Sequence, residues 1–432
     1  MVPAGSRSTG IERVGILGLG YVGLPLAVAF AEAGLKVVGV DADTEKVQEI
    51  NAGFSYIEDV SGESLAALVR DGKLEASDDY AVFGGVDAVA ICLPTPLDEH
   101  GAPDLSFVTV GAEVVAEHVR PGTLVVLEST TYPGTTREVL QPIFERSVGT
   151  VGEDVFLAFS PERVDPGNRR HTLWNTPKVV GGLTPACTRK AEDLYGPIVE
   201  EVHTVSSPES AEMSKLLENI FRGVNIALVN ELALLCDRMG IDVWEVIDAA
   251  KTKPFGFMPF YPGPGLGGHC IPIDPFYLSW RARAFDGSAE FIELAGRINS
   301  SMPYYAFSKV TAALNYQRKP VNGSRVLLLG VSYKPNVSDT RESPAIKLLG
   351  LLASSGASVV YHDPHVPDLP DNKLSSVDLS ARELEESECV VIVTDHDALD
   401  YRFVTDHAPR VVDLRNAVRE KLGELPDNVD VL

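Results

Sequence analysis

The chain has 432 residues, of which 45% are hydrophobic and 23% charged, and its formal net charge is −24 at pH 7. This length exceeds what one hydrophobic core normally supports, and it favours two or three domains. The acidic balance argues against nucleic acid or an anionic membrane as a partner, because both require a basic protein surface.

The first half of the chain alternates short apolar runs with helical patterns. This alternation predicts a parallel, doubly wound α/β sheet. Strands are predicted at residues 13–18, 36–40, 88–93, 124–127, 155–159 and 178–181.

One long helix is predicted at residues 208–239. Ser207 is a suitable N-cap, Pro208 suits the first helical position and Gly240 suits the position after the helix. A second helix follows, capped by Asp242. A Pro/Gly-rich segment at 254–268 then precedes further helix to about residue 317.

The α/β pattern then resumes with strands predicted at 325–331, 358–362, 389–393 and 410–413, and a helix at 344–355 capped by Ser343. This predicts a second, smaller Rossmann-like unit. Its first strand-to-helix loop, GVSYKPNVSDTRES, has no GxGxxG, so we expect it not to bind a second dinucleotide in the same way. We expect the two units to resemble each other only in topology.

The first strand leads into GLGYVG, which places Gly18, Gly20 and Gly23 before a helix. Such glycines allow a tight turn, close approach of a pyrophosphate to backbone N–H groups, and tight helix–sheet packing. Asp41 ends the second strand, where a carboxylate can bind the adenosine ribose and repel a 2′-phosphate. The combination predicts NAD binding in preference to NADP, rather than a glycine turn without function.

Two more loops follow strands at the edge where Rossmann folds bind ligands: Pro94–Pro96, and Ser129 with Thr130. Thr95 and Thr130 are candidates for ligand contacts. Either threonine fits equally well as an N-cap or turn residue, and the sequence alone leaves both interpretations open.

The long helix carries Lys215, Asn219 and Arg222 at i, i+4 and i+7, so the three share one face. On an ordinary amphipathic helix this would be a solvated stripe. Because the rest of this helix is unusually apolar, a stripe facing a cleft is a second interpretation. In a cleft, a lysine would polarise a substrate oxygen and an asparagine would fix its orientation.

The segment GLGGHCIPIDPFYL places Cys270 after two glycines and His269, with Asp274 four residues later. Glycines let a substrate approach a sulfur nucleophile closely, although most free cysteines are simply buried small side chains. His269 would lower the pKa of the thiol, or it is a plain loop residue. Asp274 before Pro275 is an N-cap candidate.

Five scattered cysteines with no CxxC pair predict a reducing, cytoplasmic setting without a zinc site or a disulfide framework. We expect no transmembrane helix, because no apolar run reaches about 18 residues. The N-terminus lacks the apolar h-region of a secretory signal.

These motifs together resemble the nucleotide-sugar 6-dehydrogenase family, the UDP-glucose/GDP-mannose dehydrogenases. The resemblance runs from about Arg13 to the C-terminus and includes GLGYVGLP, LPTP, ESTTYPGTT, SPERVDPGN, the helix with Lys215 and Asn219, GLGGHCIPIDP and YKPNVSDTRESP. It implies an α/β fold with two Rossmann-like doubly wound domains joined by a long central helix. The implied domains are an NAD-binding domain at 1–205, a dimerisation region with the cysteine loop at 206–317, and a nucleotide-sugar-binding domain at 318–432.

The resemblance also implies roles for individual residues. The implied catalytic residues are Cys270 as nucleophile, Lys215 and Asp274 as acid–base and oxyanion-stabilising groups, Asn219, Glu162 in thioester hydrolysis and Thr130 in placing water. The implied cofactor contacts are Gly18, Gly20, Tyr21, Val22, Gly23, Asp41, Lys46, Thr95, Thr130 and Arg341. The implied substrate contacts are Glu162, Arg163, Lys215, Asn219, Tyr261, Gly267 and Lys334. No metal is implied.

The implied reaction is a four-electron oxidation of a sugar CH₂OH to a carboxylate by two NAD in turn, through a Cys270 thiohemiacetal and thioester. Lys215, Lys334 and Arg341 would form a local positive pocket for the diphosphate in an acidic protein. Ile273 stands where UDP-glucose enzymes of the animal type carry lysine. This favours UDP-N-acetylhexosamines, with UDP-glucose and dTDP-glucose as alternatives.

Two other classes of function remain. A two-electron dehydrogenase of the 6-phosphogluconate or β-hydroxyacid type also joins a Rossmann domain to a helical domain, but it lacks the cysteine loop and the second α/β unit. A nucleotide-sugar-binding protein without turnover would keep the fold alone. We expect a cytoplasmic enzyme that is a homodimer or higher homo-oligomer and does not bind nucleic acid or membrane.

Overall fold

The computed structural model describes residues 10–57, 59–98, 101–164, 168, 170–268, 271 and 273–432. The chain forms two compact units. The first consists of Met1–Glu218 and Phe276–Gly287, and the second of Asn219–Pro275 and Ser288–Leu432.

The first unit contains an eight-stranded sheet with helices on both faces. Its strands are β1 (Arg13–Leu17), β2 (Lys36–Val40), β3 (Leu74–Ser77), β4 (Ala88–Ile91), β5 (Leu124–Leu127), β6 (Phe156–Phe159), β7 (Lys178–Gly182) and β8 (Val202–Thr204). Its helices include α1 (Gly23–Glu32), α2 (Thr44–Asn51), α3 (Gly62–Arg70), α4 (Ser106–His118), α5 (Gln141–Ser147) and α6 (Pro185–Tyr195). The strand order is β3-β2-β1-β4-β5-β6-β7-β8, so the order reverses between β1 and β4.

The central strands β4 and β5 are buried along their whole length, as expected for a sheet covered on both faces. Two hydrophobic clusters form the core, one on each side of the sheet. The six predicted strands are present, with ends shifted by at most two residues. β3 and β8 were not predicted, because neither LEAS nor VHT contains an apolar run.

The prediction of a purely parallel sheet is wrong at one strand pair, so β7 and its parallel neighbour β8 both run opposite to the other six strands. β7 pairs antiparallel with β6, through Ala158 opposite Gly182 and Phe159 opposite Gly181. A parallel neighbour needs a crossover connection, usually a helix, and the described residues between β6 and β7 contain no helix. The chain therefore turns back on itself, and β7 begins at the sheet edge where β6 ends.

Helix α7 (Pro208–Met239) has the predicted bounds. Ser207 caps it by accepting the N–H of Ser210 at 3.3 Å, and Gly240 follows with φ +67°. By length and composition α7 is apolar enough to cross a membrane, which the search for apolar runs had excluded. This is weak grounds for a membrane span, because core helices of folded proteins pass the same criterion. Ala211 and Leu216 are buried in the first unit, and Val229 and Ala233 in the second.

The second unit contains a five-stranded parallel sheet with the order β10-β9-β13-β14-β15. The strands of this unit are β9 (Arg325–Leu329), β10 (Ser358–His362), β11 (Asp368–Leu369), β12 (Leu374–Ser375), β13 (Cys389–Ile392), β14 (Val411–Asp413) and β15 (Val429–Val431). The remaining helices of the chain are α8 (Val243–Ala250), α9 (Asp274–Ala282), α10 (Glu290–Tyr316), α11 (Pro344–Ser354), α12 (Ala381–Glu386), α13 (Tyr401–His407) and α14 (Ala417–Leu422), of which most of α9 belongs to the first unit.

The caps predicted for α8 and α11 are present. Asp242 accepts the N–H groups of Trp244 and Glu245, and Ser343 accepts the N–H of Ala345. β15 was not predicted, because its sequence, VDV, is only three residues long and has a charged residue between the two valines.

Candidate functional site

The glycine loop between β1 and α1 has the geometry that a dinucleotide phosphate requires. Gly18 has φ +91°, and a Cβ there would lie 2.6 Å from the carbonyl oxygen of Cys92. A Cβ on Gly23 would lie 1.8 Å from the carbonyl oxygen of Gly18, whereas a Cβ on Gly20 would meet no atom within 4 Å. Packing therefore demands two of the glycines, and the third leaves the backbone open, so this loop fits the pyrophosphate of NAD.

Asp41 follows β2 beside this loop. One carboxylate oxygen accepts the N–H of Leu19 at 2.8 Å and the other accepts the N–H of Asp43 at 3.0 Å. The ammonium of Lys46 lies 3.9 Å from the Asp41 carboxylate and 3.8 Å from that of Asp43. Tyr21, 48% exposed, and Val22 lead into α1 at the point where the strand order reverses. Ligands of doubly wound sheets bind in the crevice at such a reversal.

Thr95 and Thr130 lie on adjoining loops after β4 and β5. The Thr95 hydroxyl donates to the carbonyl oxygen of Thr130 at 2.8 Å, and Thr95 is buried. The Tyr277 hydroxyl donates to the carbonyl oxygens of Thr95 and, at 3.2 Å, Pro96. Thr95 thus connects the two loops, and it is not the N-cap of α4, which is Leu105.

Glu212 on α7 binds the segment that follows Thr130 in the sequence. Its carboxylate is fully buried and accepts the N–H groups of Gly134 at 2.6 Å and Thr136 at 2.9 Å, and the Thr136 hydroxyl at 2.7 Å. Burial raises the pKa of Glu212 to about 7, against these hydrogen bonds, which favour the ionised form. Sequence reasoning missed this residue, which resembles any glutamate of an amphipathic helix.

Glu162 follows β6 and is held by its own loop. Its Oε1 accepts the N–H groups of Arg163 at 2.7 Å and Val164 at 2.6 Å. The Arg163 guanidinium binds the carboxylate of Glu218 at 2.7 Å and the carbonyl oxygen of Pro177 at 2.6 Å. The loop is therefore fixed against α7, because Glu218 belongs to that helix.

The ammonium of Lys178 lies 3.5 Å from Oε2 of Glu162 and 2.7 Å from Oε2 of Glu128. Sequence reasoning missed both Lys178 and Glu128. A signal was present: a lysine opens one apolar strand and a glutamate follows another, where each charge costs energy unless it is paired.

The predicted stripe on α7 divides between the two units. Lys215 is half-buried in the first unit, and its positive charge helps to lower the pKa of Glu162. Asn219 is buried in the second unit, and Arg222 is exposed. The solvated-stripe interpretation thus holds for Arg222 and fails for Asn219.

Asn219 and Asp274 form a buried pair in the second unit. The Asn219 amide donates to Oδ2 of Asp274 at 2.5 Å, and the two residues are 5% and 4% exposed. α9 begins at Asp274 itself, whereas an N-cap at Asp274 would make Pro275 the first helical residue. The pair orients a carboxylate four positions after Cys270 in the sequence. His269, Cys270 and Pro272 lie outside the described residues.

The glycines before Cys270 pack against the loop that follows β9. A Cβ on Gly267 would lie 2.8 Å from Cβ of Tyr333, and the N–H of Gly268 donates to the carbonyl oxygen of Arg341 at 3.0 Å. Tyr261 begins this stretch with its ring stacked on Trp244 at 5.7 Å. Close backbone approach therefore explains the double glycine.

The loop after β9 carries the two predicted cations. The Lys334 ammonium lies 5.7 Å from the Tyr333 ring centre, and the Arg341 guanidinium binds both carboxylate oxygens of Asp339. Arg341 belongs to the second unit and Gly18 to the first. The roles predicted for Lys334 and Arg341 stay predictions.

Arg415, which follows β14, is a further cation that sequence reasoning missed. Its Nε donates to the carbonyl oxygen of Val393 at 2.9 Å, and a Cβ on Gly263 would lie 2.7 Å from its Nη1. Burial lowers the pKa of this guanidinium, opposed by Asp395 and Asp413. Among the residues that the structure describes, no group of histidine, cysteine and acidic side chains is arranged to bind a metal.

The fold and this site define an NAD-binding oxidoreductase with two doubly wound units. Residues 12–199 match the NAD binding domain of the UDP-glucose/GDP-mannose dehydrogenase family, residues 209–301 its central domain, and residues 327–420 its UDP binding domain. The chain belongs to this family. It is an NAD-dependent oxidoreductase of the nucleotide-sugar dehydrogenases.

Individual relatives align with most of the chain. A UDP-N-acetyl-D-glucosamine 6-dehydrogenase of Pseudomonas aeruginosa is 37% identical over 82% of this chain and 83% of its own length. The structure of a UDP-D-ManNAc dehydrogenase from Pyrococcus horikoshii matches with a TM-score of 0.88 at 34% identity, over 97% of this chain and 98% of that one. A UDP-glucose dehydrogenase structure from Pyrobaculum islandicum matches with a TM-score of 0.85 at 28% identity, over 96% and 97%.

Proposed function

We propose that this enzyme oxidises C6 of a UDP-N-acetylhexosamine to the carboxylate, with Cys270 as the nucleophile. Relatives named for N-acetylhexosamine substrates at 34% and 37% identity support this sugar class over glucose, whose named relative is 28% identical. Ile273 supports it too, because UDP-glucose enzymes of the animal type carry lysine there. UDP-glucose and dTDP-glucose remain the alternatives.

The observation that carries the proposal is the buried Asn219–Asp274 pair, whose carboxylate belongs to the residue four positions after Cys270 in the sequence. A buried carboxylate held by an amide keeps one orientation, which an acid–base group needs. Asp274 and Lys215 are proposed to remove the C6 hydroxyl proton and to stabilise the oxyanions that follow. The thiolate of Cys270 then captures the aldehyde, so that it does not escape into solution.

NAD, when bound, accepts the hydride in each of the two oxidations. Gly18, Gly20 and Gly23 are proposed to receive its pyrophosphate, and Asp41 to bind its ribose. Tyr21, Val22, Lys46, Thr95, Thr130 and Arg341 are proposed as further contacts. Arg163, Tyr261, Gly267 and Lys334 are proposed as sugar-nucleotide contacts, with Glu162 and Thr130 acting on the water that releases the acid.

Product stoichiometry tests this proposal. We expect two NADH per sugar with UDP-GlcNAc, UDP-ManNAc or UDP-GalNAc, and slower turnover with UDP-glucose and dTDP-glucose, followed by absorbance of NADH. One NADH per sugar would instead identify a two-electron dehydrogenase, and none would identify a binding protein. Cys270→Ser should lower turnover by about a thousandfold or more while leaving NAD affinity unchanged.

We also propose a homodimer formed through α7. Large apolar side chains of this helix recur three, four or seven residues apart and are exposed: Met213, Leu217, Phe221, Leu228, Leu232, Leu235 and Met239. A stripe of this length on one helix face is suited to a second copy of the helix. A Leu228→Glu/Leu232→Glu variant should sediment as a monomer. A Glu231→Ala variant, which changes a polar exposed position of the same helix, should stay dimeric.

The domain bounds proposed are 1–205, 206–317 and 318–432, and the three family matches fall within them. A reducing, cytoplasmic setting is proposed as well. It is supported by the free state of the four cysteines within the described part of the chain.

A further inference from the structure

A buried cluster of charges lies at the edge of the first sheet where β5 and β6 end. Glu128 follows β5, and Glu162 follows β6 by three residues. Lys178 is the first residue of β7. Because β7 runs antiparallel to β6, its first residue lies at this same edge. In the parallel arrangement predicted from sequence, Lys178 would have been at the opposite edge, away from Glu162.

The Lys178 side chain is 2% exposed, and that of Glu128 is fully buried. The Lys178 ammonium lies 2.7 Å from Oε2 of Glu128 and 3.5 Å from Oε2 of Glu162. The Tyr195 hydroxyl donates to the other oxygen of Glu128, and the Tyr195 ring centre lies 5.1 Å from the ammonium. One cation is thus shared by two carboxylates, of which only Glu162, 19% exposed, has access to solvent.

The groups that act on Glu162 come from several elements. They are Lys178 of β7, Glu128 after β5, Lys215 of α7, the Cys92 thiol after β4, and the backbone N–H groups of Arg163 and Val164. Burial alone would raise the pKa of Glu162, but Lys178, the two N–H groups and Lys215 together lower it. The pKa of Lys178 is raised, because two carboxylates outweigh its burial. Lys178 therefore stays charged, and its charge favours ionised Glu162.

We propose that Lys178 is a positioning residue for the last step of the reaction, the hydrolysis of the thioester: it holds the Glu162 carboxylate ionised and in one orientation, so that it can accept a proton from water. This inference rests on the proposed function. In that step water adds to the thioester carbon, and the C–S bond breaks with its electron pair leaving on the thiolate. Water gives up two protons: the first passes through the Glu162 carboxylate to solvent, and the second is lost when the product acid ionises to the carboxylate of the sugar.

The two oxidations and the hydrolysis separate in a single-turnover experiment. Lys178→Gln should still release a burst of two NADH per active site. Its steady-state turnover should fall about a hundredfold, within the range that general-base groups contribute. Protein mass spectrometry should then detect the acyl-enzyme on Cys270. The acid limb of the pH–rate profile should move to higher pH, because Glu162 has lost its cation. Lys178→Arg should restore turnover to within about fivefold.

Lys178→Gln leaves the buried Glu128 carboxylate without its cation, and an unpaired buried charge destabilises the fold. The double variant Glu128→Gln/Lys178→Gln removes both charges and keeps the pair neutral, and it should show the same accumulation and the same pH shift. Glu128→Gln alone is the matched control, because it changes the cluster and retains the Lys178–Glu162 contact. It should hydrolyse the thioester within about threefold of the wild-type rate.

Fast hydrolysis and an unmoved acid limb in the double variant would overturn the role of Lys178. Glu162→Gln serves as the reference for complete loss of the carboxylate. If that variant forms two NADH per sugar at the normal rate without accumulating acyl-enzyme, the role of Glu162 fails, and the inference fails with it, while the oxidation stands. If the wild-type enzyme forms no NADH from any UDP-sugar, the proposed function itself fails.

Discussion

In both α/β units the first strand is followed directly by a glycine with positive φ, +91° at Gly18 and +80° at Gly330. In both, an aspartate follows the neighbouring strand and accepts the N–H of the residue after that glycine. The distances are 2.8 Å to Asp41 and 2.7 Å to Asp363. The expectation that the units share only topology is therefore wrong, because the same turn and the same hydrogen bond recur at equivalent positions.

The two aspartates differ in what else surrounds them. The Asp41 side chain is 13% exposed, whereas that of Asp363 is fully buried beside His396. Nδ1 of His396 accepts the N–H of Asn336 at 3.0 Å, so its Nε2 carries the proton and donates to Asp363 at 3.0 Å. The glycine–aspartate turn therefore stabilises the loop after the first strand in both units, whether or not a ligand binds there. It becomes a candidate ribose site only where the carboxylate stays accessible.

The largest effect is expected from removing the buried aspartate. Asp363 accepts N–H groups from four residues besides the His396 ring: Val331, Ser332, His365 and Val366. Asp363→Ala should therefore lower the free energy of unfolding by about 3–5 kcal/mol. Asp41→Ala should cost only about 1 kcal/mol. Urea denaturation followed by circular dichroism measures both, and equal losses would contradict the comparison.

The two units should respond to pH in opposite directions. The Glu212 pKa of about 7 exceeds the ordinary glutamate value. The first unit should therefore lose about 3 kcal/mol of stability as pH rises from about 4.5 to 7. Asp363 has a lowered pKa, because the His396 and backbone hydrogen bonds outweigh its burial. Its contribution is complete above about pH 4 and is lost as the pH falls further.

Denaturation at pH 5 and pH 8 tests the first of these effects. Glu212→Gln should flatten the loss of stability with rising pH, whatever it costs at a single pH. An unchanged pH slope in this variant would show that Glu212 is ionised throughout the range.

The equivalent glycines should be equally intolerant of a side chain. A Cβ would lie 2.6 Å from the Cys92 oxygen at Gly18 and 2.4 Å from the Thr394 oxygen at Gly330. Gly18→Ala and Gly330→Ala should each cost about 2–3 kcal/mol, measured by denaturation. Gly323→Ala, with φ +85° and no atom within 4 Å, isolates the backbone strain and should cost about 1 kcal/mol.

The smallest effect separates ligand binding from folding. Asp41→Ala should weaken NAD binding about tenfold, roughly 1.4 kcal/mol, and should relax discrimination against NADP. Asp363→Asn, the milder change at the equivalent residue, should leave NAD affinity unaltered. Titration calorimetry with both nucleotides measures this, and an unchanged NADP-to-NAD affinity ratio in Asp41→Ala would remove the proposed role of Asp41.

Local patterns in the sequence were sufficient to predict most of the secondary structure and the cofactor loop. The bounds of α7, the caps Ser207, Asp242 and Ser343, and the glycine loop after β1 all follow from residues close together in the chain. Each depends on backbone hydrogen bonds or steric limits within a few residues, which a local sequence pattern states completely.

Long-range pairing of charges was not predictable in the same way. Lys178 and Glu128 lie 50 residues apart and meet because β7 runs antiparallel to β6. The sequence of β7 contains no residue pattern that predicts this direction. Glu212 lies 76 residues from Thr136, and Asn219 lies 55 residues from Asp274. In each case burial decides whether a polar side chain is solvated or bound, and burial depends on the neighbours that the fold supplies.

The sequence by itself determined the family, the two α/β units, the NAD cofactor and the residue types of the proposed chemistry, because these depend on motifs read along the chain. Only the tertiary structure decided that Asp41 stays accessible while Asp363 is sealed, and that Lys178 reaches Glu162. Those outcomes depend on strand direction and on side chains far apart in sequence. The free energy of these buried polar contacts arises only when the fold has excluded water from between the side chains.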